Sequence, residues 1–362
     1  MSIELLEITN FRNLESVSLT PSPRINTIIG NNGSGKTSLL EAIYFLGTAK
    51  SFRTPHSKQA IQFNQNRFVV FAKIGSEGGA SIPVGVSKNS EALSIKIANR
   101  PATSASSLAN LLPIQLINPD VHKMLEEGPR FRRRFMEWGL FHVKPNYFQV
   151  WQECRHVLKQ RNAALKQKLG DRQVGHWDAL LCEKSELITQ MRRQYLEQLT
   201  PYLDRLLGKS ALLPKMKVTL SQGWPRERTL DQVLKENLDT DRSRGFTQYG
   251  PQRMDLVITS QGIRAKDVVS RGQQKIVTAI MKLAQLALLQ DIGGDGKSVL
   301  LVDDLPAELD QQFRQLLMEL IGDLRSQVFI TATDENLLFH VEHEPGVSGR
   351  MFHVEHGVIH QA

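Results

Sequence analysis

The sequence predicts an α/β fold with a mixed β-sheet, split in the middle by an inserted α-helical lobe. Three stretches carry that expectation. Residues 25–47 read as strand, glycine-rich loop and helix, and residues 298–304 as an apolar strand ending in two carboxylates. Between them, residues 123–207 lose their β-branched runs and become long and amphipathic. The expected divisions are 1–120 for the first part of the α/β domain, 121–210 for the helical lobe, and 211–362 for the return of the α/β domain. A chain of 362 residues has room for such a split domain.

The elements follow in order. Ile3 and Leu5, then Val17 and Leu19, alternate with polar residues between turn formers, which predicts two short strands before a third at Ile25–Ile29. Helix formers with an apolar face run from Lys36 to Gly47. Arg67–Ile74 and Ile82–Val86 are rich in β-branched and aromatic residues and predict a meander. Further strands are expected at Met216–Leu220, Asp255–Thr259, Val299–Val302 and Val328–Thr331. The pentapeptide Phe-His-Val-Glu-His occurs at 339–343 and again at 352–356. It alternates like a terminal hairpin and has no neighbouring Cys, so metal binding is not its expected role.

Composition narrows the function classes. With 41% hydrophobic and 23% charged residues the chain reads as globular, which excludes disorder as its main character. The net charge of +8 is mild and favours an anionic partner. Residues 130–207 carry fifteen Lys and Arg against eight Asp and Glu, so most of the excess sits on the helical lobe. Two cysteines, Cys154 and Cys182, make neither a disulfide framework nor a four-ligand zinc site. The N-terminus has no basic region followed by an apolar core. The most apolar helix, Ile276–Leu289, is interrupted by Lys282 and Gln285. The expectation is a cytoplasmic protein with no membrane partner.

The loop Gly30-Asn31-Asn32-Gly33-Ser34-Gly35-Lys36-Thr37, followed by Ser38, fits the pattern G-x-x-x-x-G-K-[ST] between a strand and a helix. Glycines let successive N–H groups turn inward around an anionic phosphate, and the positive end of the next helix adds to the field. Lys36 would reach the β- and γ-phosphates, and Thr37 would offer its hydroxyl to Mg2+. The pattern predicts a nucleoside triphosphate site. At the end of the apolar run 298–302, Asp303 would hold Mg2+ through water and Asp304 would polarise an attacking water. A second Ser/Gly turn opens a helix at Ser270-Arg271-Gly272-Gln273-Gln274-Lys275. It reads either as a second anion site or simply as an N-capped helix.

The order of these motifs resembles the ABC ATPase superfamily. Ser270, Gly272 and Gln273 fall in its signature motif, here S-R-G-Q-Q, and Pro306-Ala307-Glu308-Leu309-Asp310 resembles its D-loop. The resemblance implies ATP with Mg2+ as the bound pair. It also implies an ATP-dependent homodimer, in which the signature turn of one copy closes on the γ-phosphate held by the other. Ser270 would then join Lys36, Asp303 and Asp304 as a catalytic residue. Gln115 is the candidate for the glutamine that watches Mg2+; a glutamine with no special role is the alternative.

Within that superfamily the chain resembles the SMC-like ATPases, and most fully the RecF family of bacterial recombination and gap-repair ATPases. The likeness rests on Ile8-Thr9-Asn10-Phe11-Arg12-Asn13, Lys50-Ser51-Phe52-Arg53-Thr54, Gln115-Leu116-Ile117-Asn118-Pro119, and Gly128-Pro129 with Arg132-Arg133-Arg134-Phe135. It implies an SMC-head-like fold, with Arg12 at the nucleotide. It also implies binding of double-stranded DNA and of single/double-strand junctions, and weak, DNA-stimulated ATP hydrolysis. Work with RecR and RecO in loading RecA at single-strand gaps, and a place in DNA repair, replication and the SOS response, belong to the same implication. Two departures stand out: Gln252 replaces the His of a family stretch written G-P-H-R-x-D-L, and Asp304 stands where many ABC ATPases have Glu.

The run Arg130-Phe131-Arg132-Arg133-Arg134-Phe135 interleaves bases with aromatics, so Arg130, Arg132, Arg133 and Arg134 are the candidate DNA contacts. A solvated helix face is the plainer reading. The sequence contains no base-reading module, which predicts sequence-independent binding. The alternative function is another ABC-type ATPase, for transport or nucleotide processing, that does not bind DNA.

Overall fold

The computed structural model describes residues 2–75, 79–102, 104–293, 298–334 and 349–361. The chain divides into two compact units, Met1–Val121 with Arg271–Ala362, and His122–Ser270.

In the first unit, Ile25–Ile29 is an interior strand of a six-stranded sheet. The order is Val358–Gln361, Gly349–Glu355, Ile25–Ile29, Gln327–Ala332, Val299–Val302, Ile114–Ile117, among the described residues. Pairing is parallel except within the terminal hairpin. Val299–Val302 and Gln327–Ala332 are buried at every position, as strands covered on both faces must be. The parallel register brings the C-terminal ends of Ile25–Ile29 and Val299–Val302 to one edge, with only Gln327–Ala332 between them. Open α/β sheets bind ligands at that edge.

A second sheet, antiparallel throughout, contains Leu14–Leu19, Ser2–Phe11, Arg67–Gly75, Ile82–Asn89, Leu93–Ile97 and Arg100–Pro101. The helix Lys36–Thr48 shares one core with both sheets. Its Leu39, Leu40, Ile43, Phe45 and Leu46 are buried with Ile3, Leu6 and Ile8 of one sheet and Val299, Leu301 and Phe329 of the other. Phe11, Phe45 and Phe68 meet edge to face, with ring centres 4.8–6.2 Å apart.

Helix Arg271–Gly293 is long and apolar enough to cross a membrane, yet it is a core helix: Ile276, Val277, Ile280, Leu283 and Leu286 are all buried. The two polar interruptions noted in its sequence have partners in the fold. Gln285 accepts from Gln115 at 3.0 Å, and Lys282 donates to the Leu116 carbonyl at 2.5 Å.

The second unit requires a correction to the expected boundary at residue 210. It runs on to Ser270, because Asp255–Ser260 pairs with Lys217–Ser221 on one side and Ile263–Arg264 on the other, a separate three-stranded sheet among the described residues. Local pattern identifies strands but not their partners, so the sequence alone places these two with the α/β domain. Its longest helices are Pro129–Val143, Tyr147–Lys166 and Asp171–Leu207, with the short helices Leu230–Glu236 and Leu238–Arg244 after them.

Of the two His-rich pentapeptides, 339–343 lies outside the described residues. The second occupies the terminal hairpin, Gly349–Glu355 with Val358–Gln361. There Phe352 and Val354 are buried and His353 and His356 exposed.

Candidate functional site

Strand Ile25–Ile29 delivers the chain to Gly30, which passes so close to Val354 that an added Cβ would lie 2.3 Å from its carbonyl oxygen. Only glycine fits that approach. Gly35, at φ 125°, makes the turn that lets the helix begin at Lys36. The Lys36 side chain is buried, and its ammonium donates to the carbonyls of Gly30 (2.8 Å) and Asn31 (3.2 Å). It stands 3.9 Å from Asp304 Oδ2.

Asp303 and Asp304 follow the buried strand Val299–Val302 and turn to different partners. Thr37 Oγ1 and Thr331 Oγ1 both donate to Asp303 Oδ1, at 3.0 and 3.1 Å. Burial pushes the Asp303 carboxyl above the ordinary carboxylate range. The neighbouring Asp304 charge acts in the same direction, while the two hydroxyls and Lys36 oppose it. Asp304 adopts the left-handed conformation, φ 46°, and its N–H donates to Thr331 Oγ1 at 2.9 Å. The side chain is thereby aimed into the cavity, and its Oδ1 has no hydrogen-bond partner among the described residues. A buried carboxylate oxygen left this way is ready to accept from a ligand or water.

The cavity, about 440 Å3, is lined by Arg12, Asn13, Asn32, Gly33, Gly35, Lys36, Thr37, Ser38, Arg53 and Asp304. Most of the expected loop residues therefore meet in one place with Arg12 and the second aspartate. Asn31 contributes its carbonyl to Ser34 N and to Lys36.

Three lining or supporting groups were not assigned a role from sequence. Glu41, fully buried on the helix after the loop, accepts both Arg12 Nε (3.0 Å) and Arg12 Nη2 (2.8 Å), as well as the Ser51 hydroxyl. Arg53 approaches the same carboxylate at 3.6 Å. Asn13 joins the loop to the helix by donating to the Ser34 carbonyl (3.1 Å) and accepting from Ser38 Oγ (2.8 Å). The available signal was Glu41 itself, an acid among Leu39, Leu40 and Ile43, since a carboxylate buried among apolar neighbours requires cationic partners.

Gln115 departs from expectation. It is paired in register with Leu300, three positions before Asp303, and its amide donates to Gln285. The residue that follows the strand at the carboxylate edge is Asn118. The metal role given to Gln115 is therefore corrected: a side chain anchored in mid-strand does not line the cavity. Gln115→Ala is expected to leave nucleotide affinity within about twofold, as for a change remote from the ligand, by titration with a fluorescent ATP analogue.

Ser270 is exposed immediately before helix Arg271–Gly293, and an added Cβ at Gly272 would meet nothing within 4 Å among the described residues. Ser270, Gly272 and Gln273 do not line the loop cavity. Asp310 has a local role, capping helix Gln311–Gly322 through Phe313 N at 2.9 Å.

The four arginines on the helix Pro129–Val143 separate in the structure. Arg132 is corrected from DNA contact to internal strut: it is buried, bonds both Asp255 oxygens at 2.7 and 3.0 Å, and donates to the carbonyls of Met124 and Glu127. This bond joins the Gly128-Pro129 segment to the Gly250–Asp255 segment. Arg133 is half-buried and donates to the Met254 carbonyl at 3.1 Å, and burial holds its pKa below the ordinary value. Arg130 and Arg134 are exposed, Arg134 lying 5.9 Å over the Phe131 ring. A repeat of basic residues gives no indication of which one a distant acid such as Asp255 will draw inward.

The family model described as RecF/RecN/SMC N terminal domain matches residues 2–359. DNA replication and repair protein RecF of Pseudomonas fluorescens is 42% identical, over 100% of this chain and 98% of its own length. That of Pseudomonas syringae is 41% identical with the same coverage. Among solved structures, the recombination mediator protein RecF with ATP, of the RecFOR pathway, superposes with a TM-score of 0.86 at 25% identity. That match covers 100% of this chain and 97% of the other. An Smc head bound to the C-terminal winged-helix domain of ScpA superposes at 0.58 and 14% identity, with 100% and 98% covered, a likeness of fold. From its first strand to its terminal hairpin, the chain belongs to the RecF family of the SMC-like ATPases.

Proposed function

We propose that the chain is an ATP-gated switch that holds double-stranded DNA without regard to sequence, in DNA replication and recombinational repair. The observation that carries this is the junction of Thr37, Asp303, Asp304 and Lys36 at one sheet edge, in a chain matched end to end by RecF proteins. The residues present fit ATP with Mg2+. Thr37 and, through water, Asp303 would hold the ion, which neutralises phosphate charge when bound. Lys36 would exchange its two loop carbonyls for phosphate oxygens, and the unpartnered Asp304 Oδ1 would orient the attacking water.

Exposed Ser270 and open Gly272 suit a turn that acts on a second copy, so ATP drives a homodimer and slow hydrolysis releases it. Arg130 and Arg134 remain the candidate duplex contacts, with junctions of single and double strands as further substrates. RecR and RecO are the proposed partners in RecA loading at gaps, as part of the SOS response in the cytoplasm.

The test is equilibrium binding of a fluorescent duplex to the full chain, with and without ATP, for the parent and Lys36→Ala, at two salt concentrations. ATP is expected to tighten binding in the parent only, and affinity to fall steeply with salt as phosphate contacts dictate. If the chain binds ATP while its duplex affinity is negligible or indifferent to ATP, the DNA assignment fails and a non-DNA ABC-type ATPase remains.

A further inference from the structure

We infer that the terminal hairpin is part of the nucleotide site: with Asn13 it grips the Ser34 carbonyl and so fixes the direction of the Gly35 N–H. Ser34 O accepts from Gly357 N at 2.8 Å and from Asn13 Nδ2 at 3.1 Å. A trans peptide points its C=O and the following N–H in opposite directions. Two donors that draw the Ser34 carbonyl outward therefore drive the Gly35 N–H inward, toward the concave side where a phosphate oxygen would sit.

The packing leaves this grip little freedom. Gly357 has φ 83°, and an added Cβ would lie 2.1 Å from the Asn13 carbonyl oxygen. The same hairpin approaches Gly30 through the Val354 carbonyl and Gly35 through Val354 Cγ1, 3.4 Å from a Cβ built there. Asn13 is itself oriented by Ser38 Oγ at 2.8 Å. The back of the loop is thus walled by residues 354–357, which act as positioning residues because none of them lines the cavity, while Asn13 holds the Ser34 carbonyl from the cavity's own lining. The inference rests on the proposed ATP site. It makes the C-terminal hairpin a determinant of phosphate affinity, beyond its place as a sheet edge.

The experiment is titration of the full-length parent, Asn13→Ala, Gly357→Ala and the double variant with a fluorescent ATP analogue, beside nucleotide-free melting curves. His360→Ala, exposed on the outer strand of the hairpin, is the control. Each single variant is expected to lose about tenfold in affinity, the scale of one charge-assisted hydrogen bond. The double variant should lose clearly less than the product of the two losses, because both groups hold one oxygen. Two independent packing defects would multiply instead, and that result overturns the inference, as does affinity within twofold of the parent in both single variants. Should Gly357→Ala melt early, Asn13→Ala decides alone: retained melting with lost affinity supports the grip, and retained affinity refutes it. A parent that fails to bind the analogue refutes the proposed ATP site rather than this inference.

Discussion

Asp304→Asn is expected to slow ATP turnover by about a hundredfold or more while leaving ATP affinity near that of the parent. Its Oδ1 lacks a partner among the described residues and its side chain lines the cavity, so the substitution removes the negative charge that would polarise a water and little that holds the loop. Asp303→Asn should give the opposite split. Its carboxylate is the shared acceptor of Thr37 and Thr331, and its loss should weaken Mg2+-dependent ATP binding itself. Single-turnover hydrolysis and nucleotide titration, run on both variants, separate the two roles. Equal losses in both measurements for both variants would show that the carboxylates act as one unit.

The largest effect on stability is expected at Arg161. This fully buried guanidinium bonds Asp178 at 2.5 Å, Asp241 at 2.6 Å and Thr247 at 2.8 Å. It ties helix Tyr147–Lys166 to helix Asp171–Leu207 and to helix Leu238–Arg244. Arg161→Met leaves two carboxylates buried without their cation and should destabilise the unit by about 3–5 kcal/mol. Burial already pushes Asp178 above the ordinary carboxylate range even with the arginine present. Replacing Arg161, Asp178 and Asp241 together by apolar residues should recover much of the loss. Urea unfolding of the single and triple variants tests this, and an unchanged midpoint for Arg161→Met would refute it.

Both of those sites show how far a sequence can be read. The loop 30–37 and the strand ending at Asp303 were legible because each is a local pattern with a chemical purpose. Their meeting follows from parallel pairing through Gln327–Ala332. The roles of Glu41, Asn13 and Thr331 were not legible, because each depends on a partner far along the chain. The same holds for Arg132, which sits in a run of bases whose outer members Arg130 and Arg134 are exposed, while its own partner is Asp255, 123 residues away. Gln115 failed for a related reason: periodicity located the strand, and only the register with Leu300 located the side chain along it.

The sheet order also has a consequence for synthesis. Strand Ile25–Ile29 emerges early, but its neighbours Gln327–Ala332 and Gly349–Glu355 are made much later: Asn26 bonds the Val328 carbonyl 302 residues on. At about 5–20 residues per second the wait is roughly 15–60 s. The antiparallel sheet, built entirely from residues 2–101, has no such delay. The ribosome-bound chain therefore carries a β-meander that is paired but not yet covered by Val299, Leu301 and Phe329, beside an apolar strand with both edges open, the kind of species that chaperones shield from aggregation. The loop at residues 30–37 keeps the contacts described above only once strand Gly349–Glu355 and Gly357 have left the exit tunnel.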